Sequence, residues 1–226
     1  MKKRILSILL LCCMVLIMLP TTVLAADGPM DTIPKYDVSI DVYNRTSDIS
    51  IKDSRSYYIY SSVPDKLRDT WAWDKKIFIK GDKTAPHVFI DGVNIKMSPS
   101  SKGPAIELNK KASAYLYFIG KDSSLQGADG RAAIQKNRSE GQLYVLARTG
   151  TTVTCKGGYR AAGIGGSWAI RNIGDSMFNM DMYGHGVNMH FGSQSNPDYW
   201  GGTINASGGE YGAGIGAGSW GSTGYG

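Results

Sequence analysis

The chain has 226 residues and a formal charge of +6, from 25 basic against 19 acidic side chains. Lys2, Lys3 and Arg4 crowd its first positions and leave the rest with about +3, too mild a field to hold nucleic acid or an anionic membrane. Cys12 and Cys13 share that N-terminal segment, so Cys155 stands alone further on, which excludes an internal disulfide or a cysteine-based metal cluster.

Behind the three cations runs an almost unbroken apolar stretch, Ile5 to Leu19, and Val23-Leu24-Ala25 ends in the small residue that a signal peptidase needs. Residues 1–25 therefore read as a secretory signal peptide. A membrane anchor fits less well, since the run is short for a bilayer and Pro20 follows it. Residues 26–56 read as an N-terminal cap. Val38, Ile40 and Val42, then Ile49 and Ile51, fall at period two, the pattern of a strand with one buried face.

From residue 57 short β-rich runs follow one another, at Tyr57 to Ser62, Lys76 to Gly81, His87 to Ile95, Ala105 to Leu108, Tyr115 to Gly120, Ala132 to Gln135 and Leu143 to Ala147. Each is bounded by Gly, Asp, Asn, Ser or Pro, and no segment carries a 3.6-residue apolar stripe, so the chain reads as nearly all β. A small residue followed by Ile recurs at Ile106, Ile134, Ile164 and Ile215, spaced by 28, 30 and 51 residues. If the last interval holds two coils, the period is close to that of a parallel β-helix, a solenoid with coils of about 25–30 residues over 57–226.

The firmest signal is a self-match. Thr152 to Trp168 returns as Thr203 to Trp220, pairing Cys155 with Ala206, Gly157-Gly158 with Gly208-Gly209, and Gly163-Ile164-Gly165 with Gly214-Ile215-Gly216. The match makes Cys155 a small core residue and the glycines coil corners, where the backbone turns sharply or approaches its neighbour closely. A flexible linker would not keep Val153, Ile164, Ile204 and Ile215 in matching places. Between the copies, residues 169–200 are irregular and read as one degenerate coil, Met177 to Gly184 then Val187 to Gly192, plus an excursion at Ser193 to Tyr199. No cap follows the second copy, so the chain is expected to continue in a longer protein.

The succession AIEL, FIG, SSLQG, AAIQ, GQLYV, TVTCKGG, AAGIGG and GGTINASGGEYGAGIGAG resembles the Gly-rich β-helical repeat regions of secreted or wall-attached Gram-positive surface proteins. That resemblance covers about Ile77 to Gly218. It implies a right-handed parallel β-helix similar to that of pectin lyases, a carbohydrate-binding or adhesin-like role, and an extracellular location with wall attachment through sequence beyond Gly226.

Enzymes share that fold, so acids deserve inspection. Gly184-His185-Gly186 resembles a polygalacturonase motif, but the Asn-Thr-Asp triplet and Asp-Asp pair of that family are missing, and Asp175 and Asp181 stand singly where a glycosidase needs two cooperating carboxylates. Asp82, Asp91, Asp122 and Asp129 recur coil by coil and read as turn residues in preference to calcium ligands, so no cofactor is expected. GYRAAGIGG does not open a helix with Gly-x-Gly-x-x-Gly, which argues against a nucleotide. Aromatics carry the binding reading. Alternation sends Tyr115 and Tyr117 outward, Tyr144 continues them one coil on, and Trp71 and Trp73 stand two apart in a polar setting. Flat rings in a row suit stacking against sugars. The expectation is a non-catalytic secreted module for a polysaccharide or host glycan, with a polysaccharide-degrading enzyme of the same fold as the alternative.

Overall fold

The structure, a computed structural model, describes residues 34–81, 83–98, 103–109, 111–136, 140–168, 186–193 and 198–219. The expected signal peptide, Met177 to Gly184, Asp82, Asp175, Asp181 and His185 lie outside these residues.

The described chain is a parallel β-solenoid of three sheets. The first contains β1 (Val38–Asp41), β3 (Ser56–Tyr60), β5 (His87–Asp91), β8 (Ala114–Ile119), β11 (Leu143–Ala147) and β14 (Met189–Phe191). The second contains β2 (Ile49–Ile51), β4 (Ile77–Lys80), β7 (Ile106–Asn109), β10 (Ile134–Lys136), β13 (Ile164–Gly165) and β16 (Ile215–Gly216). The third, with β6 (Asn94–Lys96), β9 (Ser123–Gln126), β12 (Thr152–Lys156) and β15 (Thr203–Ser207), begins later. Each of the last four coils thus visits the first, third and second sheets in turn. In the coil before them the third position is a single bridge from Trp73 to Ile95.

Alternation decides what lies inside. Along the second sheet Ile49, Ile77, Ile106, Ile134, Ile164 and Ile215 occupy one register column. The first five are essentially shielded from water, each burial worth roughly 1.5–3 kcal/mol, and Ile215 on the last coil stays 45 % exposed. Val153 and Cys155 face the same core, with Cys155 between Leu125 and Ala206 in its column. The segment expected as a cap supplies β1 and β2, which join β3 and β4 as parallel neighbours.

Corners require glycine where carbonyls of adjacent coils come close. A Cβ on Gly158 would run into the Ala128 carbonyl of the preceding coil, and Gly165 holds φ at +127°, a value L side chains rarely adopt.

The interval of 51 residues corrects one expectation. Ile164 pairs directly with Ile215, and Thr152 with Thr203, so the two copies of the repeat are adjacent coils and the interval contains one long coil, not two short ones. β14, expected inside a degenerate extra coil, is the first strand of that same final coil and pairs with β11.

Candidate glycan-contact faces

On the outer face of the first sheet, His87, Tyr115, Tyr144 and His190 share one register column. Parallel pairing repeats every coil at the hydrogen-bonding distance between strands, which is also a comfortable ring-stacking distance. The rings accordingly stack on one another, with centroids 4.6, 4.5 and 4.5 Å apart and planes within 4°, 8° and 15° of parallel. This modifies the expected role of Tyr115 and Tyr144. Both are half-exposed, but each ring has a neighbour against both faces, so only edges and hydroxyl tips meet the solvent. A sugar needs a free ring face, and here the faces already belong to the ladder.

Tyr117 occupies the next outward column and is partly covered. Trp200, just after the excursion, lies over it at 5.1 Å, and the Tyr117 hydroxyl is 3.0 Å from His87 Nδ1. Burial pushes its phenol up to about 12. The covering segment is tied down by the Thr149 N–H, which donates to the Tyr199 carbonyl at 2.8 Å. Beneath it Tyr58, Phe89 and Ile119 form a second apolar cluster outside the main core. The Tyr58 hydroxyl donates to Asp91 Oδ2 at 2.8 Å, while Asp91 Oδ1 accepts the Lys121 N–H. That aspartate is thus a turn and ladder residue.

Trp73 departs from expectation altogether. It is 3 % exposed, packs in the main core and donates its indole N–H to the Arg45 carbonyl at 2.8 Å. The Asp and Lys residues around it in sequence are polar, but its bridge to Ile95 fixes its side chain inward. Trp71 also packs against the main core, but from a less buried position. It is half-buried, edge-on to Tyr43 at 5.4 Å, and forms part of the wall of a cleft.

That cleft, about 430 Å³, lies between the segment 68–72, which follows a 3-10 turn at Asp65–Leu67, and the outer face of the third sheet. Its size falls within the range typical of small-molecule sites. Its floor is built by register. Asn94, Ser124 and Thr154 make one column, with Lys96 and Gln126 beside them. Coil stacking therefore sets amide and hydroxyl groups at one strand spacing, the array a polyhydroxylated ligand can bridge. Asn94 Nδ2 donates to the Arg68 carbonyl at 3.0 Å, and its Oδ1 accepts the Ser124 N–H at 3.1 Å, so the amide is oriented by both walls.

Two carboxylates, Asp69 and Asp122, also line the cleft, and both are exposed. Asp122 accepts the Thr152 N–H at 2.7 Å. Among the described residues no group of three or more His, Cys, Asp or Glu side chains converges to hold a metal ion. Sequence reasoning named Trp71 but missed the polar floor and the two histidines of the ladder. Aligning the first outward residue of successive coils would have found both columns. Comparison with family models, with curated proteins and with solved structures gave no match to this chain.

Proposed function

We propose that this chain is a non-catalytic, secreted surface module that binds a glycan in the cleft over the third sheet. One observation carries the reading, the meeting of Trp71 with the register-aligned amides and hydroxyls of Asn94, Ser124, Gln126 and Thr154 in a space of about 430 Å³. An indole beside a polar array is the combination that sugars need, since a pyranose offers an apolar C–H face and a rim of hydroxyls.

Glycan-array screening followed by calorimetry with a neutral oligosaccharide tests it. Trp71→Ala should weaken binding about tenfold or more, the loss of a contact worth roughly 1.4 kcal/mol. Unchanged affinity in that variant, or no neutral glycan bound at all, defeats the proposal. A hydrolytic reading draws on Asp69 and Asp122 sharing the cleft, because glycosidases work with two carboxylates. Release of reducing ends from the bound oligosaccharide, abolished in Asp122→Asn, would favour it.

A further inference from the structure

The corner joining β12 to β13 carries a second, separate arrangement. Three successive coils turn here with a residue in the left-handed region, Gly130 at φ 72°, Arg160 at 60° and Tyr211 at 63°. Backbone bonds hold the corners together, Gly130 N–H to the Tyr159 carbonyl and Arg160 N–H to the Glu210 carbonyl, each at 2.9 Å. Glycine makes this turn without strain, whereas Arg and Tyr meet a Cβ conflict costing about 1 kcal/mol each. The corner itself does not need those side chains, since Gly130 serves in the first of the three coils. Nor does burial compensate for Tyr211, which is 69 % exposed.

What the strained residues build is a cation framed by rings. The Arg160 guanidinium carbon lies 5.0 Å from the Tyr159 ring, 5.0 Å from the Trp168 ring and 5.7 Å from the Tyr211 ring. Tyr159 and Trp168 stand edge to face at 6.3 Å. Arg160 Nε is buried without an acceptor, and no carboxylate among the described residues pairs with this guanidinium. Rings align and desolvate an arginine, yet they leave its N–H donors without the oxygen partners that its planar fork matches best.

We infer that this corner is a contact site for a carboxylated sugar, with Arg160 taking the carboxylate and Tyr211 and Tyr159 the sugar ring. The surrounding charges select the class. Asp129 and Glu210 occupy the matching position of the coils on either side of Tyr159, and both are exposed. A dense polyanion such as an acidic peptide would meet them as like charges, whereas a glycan with one carboxylate per two sugars can place that group on Arg160 and hydroxyls elsewhere. The corner and the cleft of the proposed function share no residue, so each binding can fail without the other.

The full chain tests this through binding of a hyaluronan hexasaccharide, with a chitin hexasaccharide as neutral control and polyglutamate as the acidic-peptide control. Hyaluronan is expected to bind, Arg160→Gly to lose at least about tenfold in affinity and Tyr211→Gly to weaken it severalfold. Both substitutions put at this turn the residue Gly130 already supplies, so the relief of turn strain works against the loss of ring contacts, and melting temperatures measured alongside show that each variant is folded. Equal hyaluronan affinity in Arg160→Gly overturns the inference. So does polyglutamate binding as tightly as hyaluronan, which would make the corner an acidic-protein contact, or chitin oligosaccharide binding there with the same loss in Arg160→Gly.

Discussion

Tyr115 and Tyr144 stand in the same position of successive coils with ring centroids 4.5 Å apart and planes 8° from parallel. Each ring is thereby the packing partner of the next, and the column contributes to the cohesion of the coils as backbone pairing does. Removing one ring breaks two stacks. Tyr144→Ala should cost at least about 1–3 kcal/mol in urea unfolding, the sum of two stacks of about 0.5–1.5 kcal/mol each, to which the lost buried area adds. Neutral-saccharide affinity in the cleft should be unchanged. Lost binding with unchanged stability would return the ladder to the role of a sugar platform.

Trp71 and Trp73 should part company in the same way. Trp73→Phe keeps most of the ring volume but orphans the Arg45 carbonyl that its indole N–H satisfies. A loss of about 1–3 kcal/mol is expected, with glycan binding retained at temperatures where the variant is folded. Trp73→Ala should cost more, about 3–5 kcal/mol. Thermal melts beside calorimetry separate the two tryptophans, and a Trp73→Phe variant as stable as the parent would contradict its core placement.

Lys136 lies in the inward column of Ile51, Ile79 and Leu108, 2 % exposed, with Nζ donating to the Glu140 carbonyl at 3.1 Å. Burial brings its ammonium down to about 8, partly opposed by the Glu140 carboxylate. The folded lysine therefore releases its proton before the unfolded one, near 10.4, and stability should rise as pH climbs from about 8 towards that value. Lys136→Met should abolish this rise and gain on the order of 1 kcal/mol at pH 7. Chemical denaturation at pH 7 and 9 measures both effects, and parallel pH profiles for parent and variant would refute the assignment.

Cys155 has the opposite sign. Burial pushes its thiol up to about 12, while an unfolded cysteine ionises near 8.5. Its contribution is complete below about 8.5 and is lost as pH rises towards 12, so it offsets the Lys136 gain between about 8.5 and 10.4. Cys155→Ala, the residue its neighbouring coil carries as Ala206, should flatten the alkaline loss. In the parent, a thiol reagent at pH 8 should label Cys155 only after denaturant is added, and prompt labelling of the native protein would disprove its burial.

The solenoid was legible because its rule is local and repeated. Alternating apolar residues placed Ile77, Ile106 and Ile134 inward, and the self-match at Thr152 and Thr203 gave a register that the hydrogen bonds reproduce. Coil length was misjudged where the rule lapses, since a spacing of 51 residues fits two ordinary coils as well as one extended one. The candidate site was less legible for a different reason. Outwardness can be read from alternation, but whether a ring face stays free depends on what stacks one coil away, and Tyr115 meets His87 and Tyr144 there. Trp73 turned inward because the β-bridge to Ile95 governs its direction, and no local pattern announces a bridge of one residue.

The long final coil has an energetic consequence. Ile164 and Ile215 remain hydrogen-bonded neighbours although the connection between them is some twenty residues longer than in the preceding coil. Closing 51 residues instead of 30 costs only about 0.5 kcal/mol of chain entropy, because the penalty grows with the logarithm of length. Most of the extra length falls between β13 and β14, and β14 and β16 still keep their register against β11 and β13 at that small entropic cost.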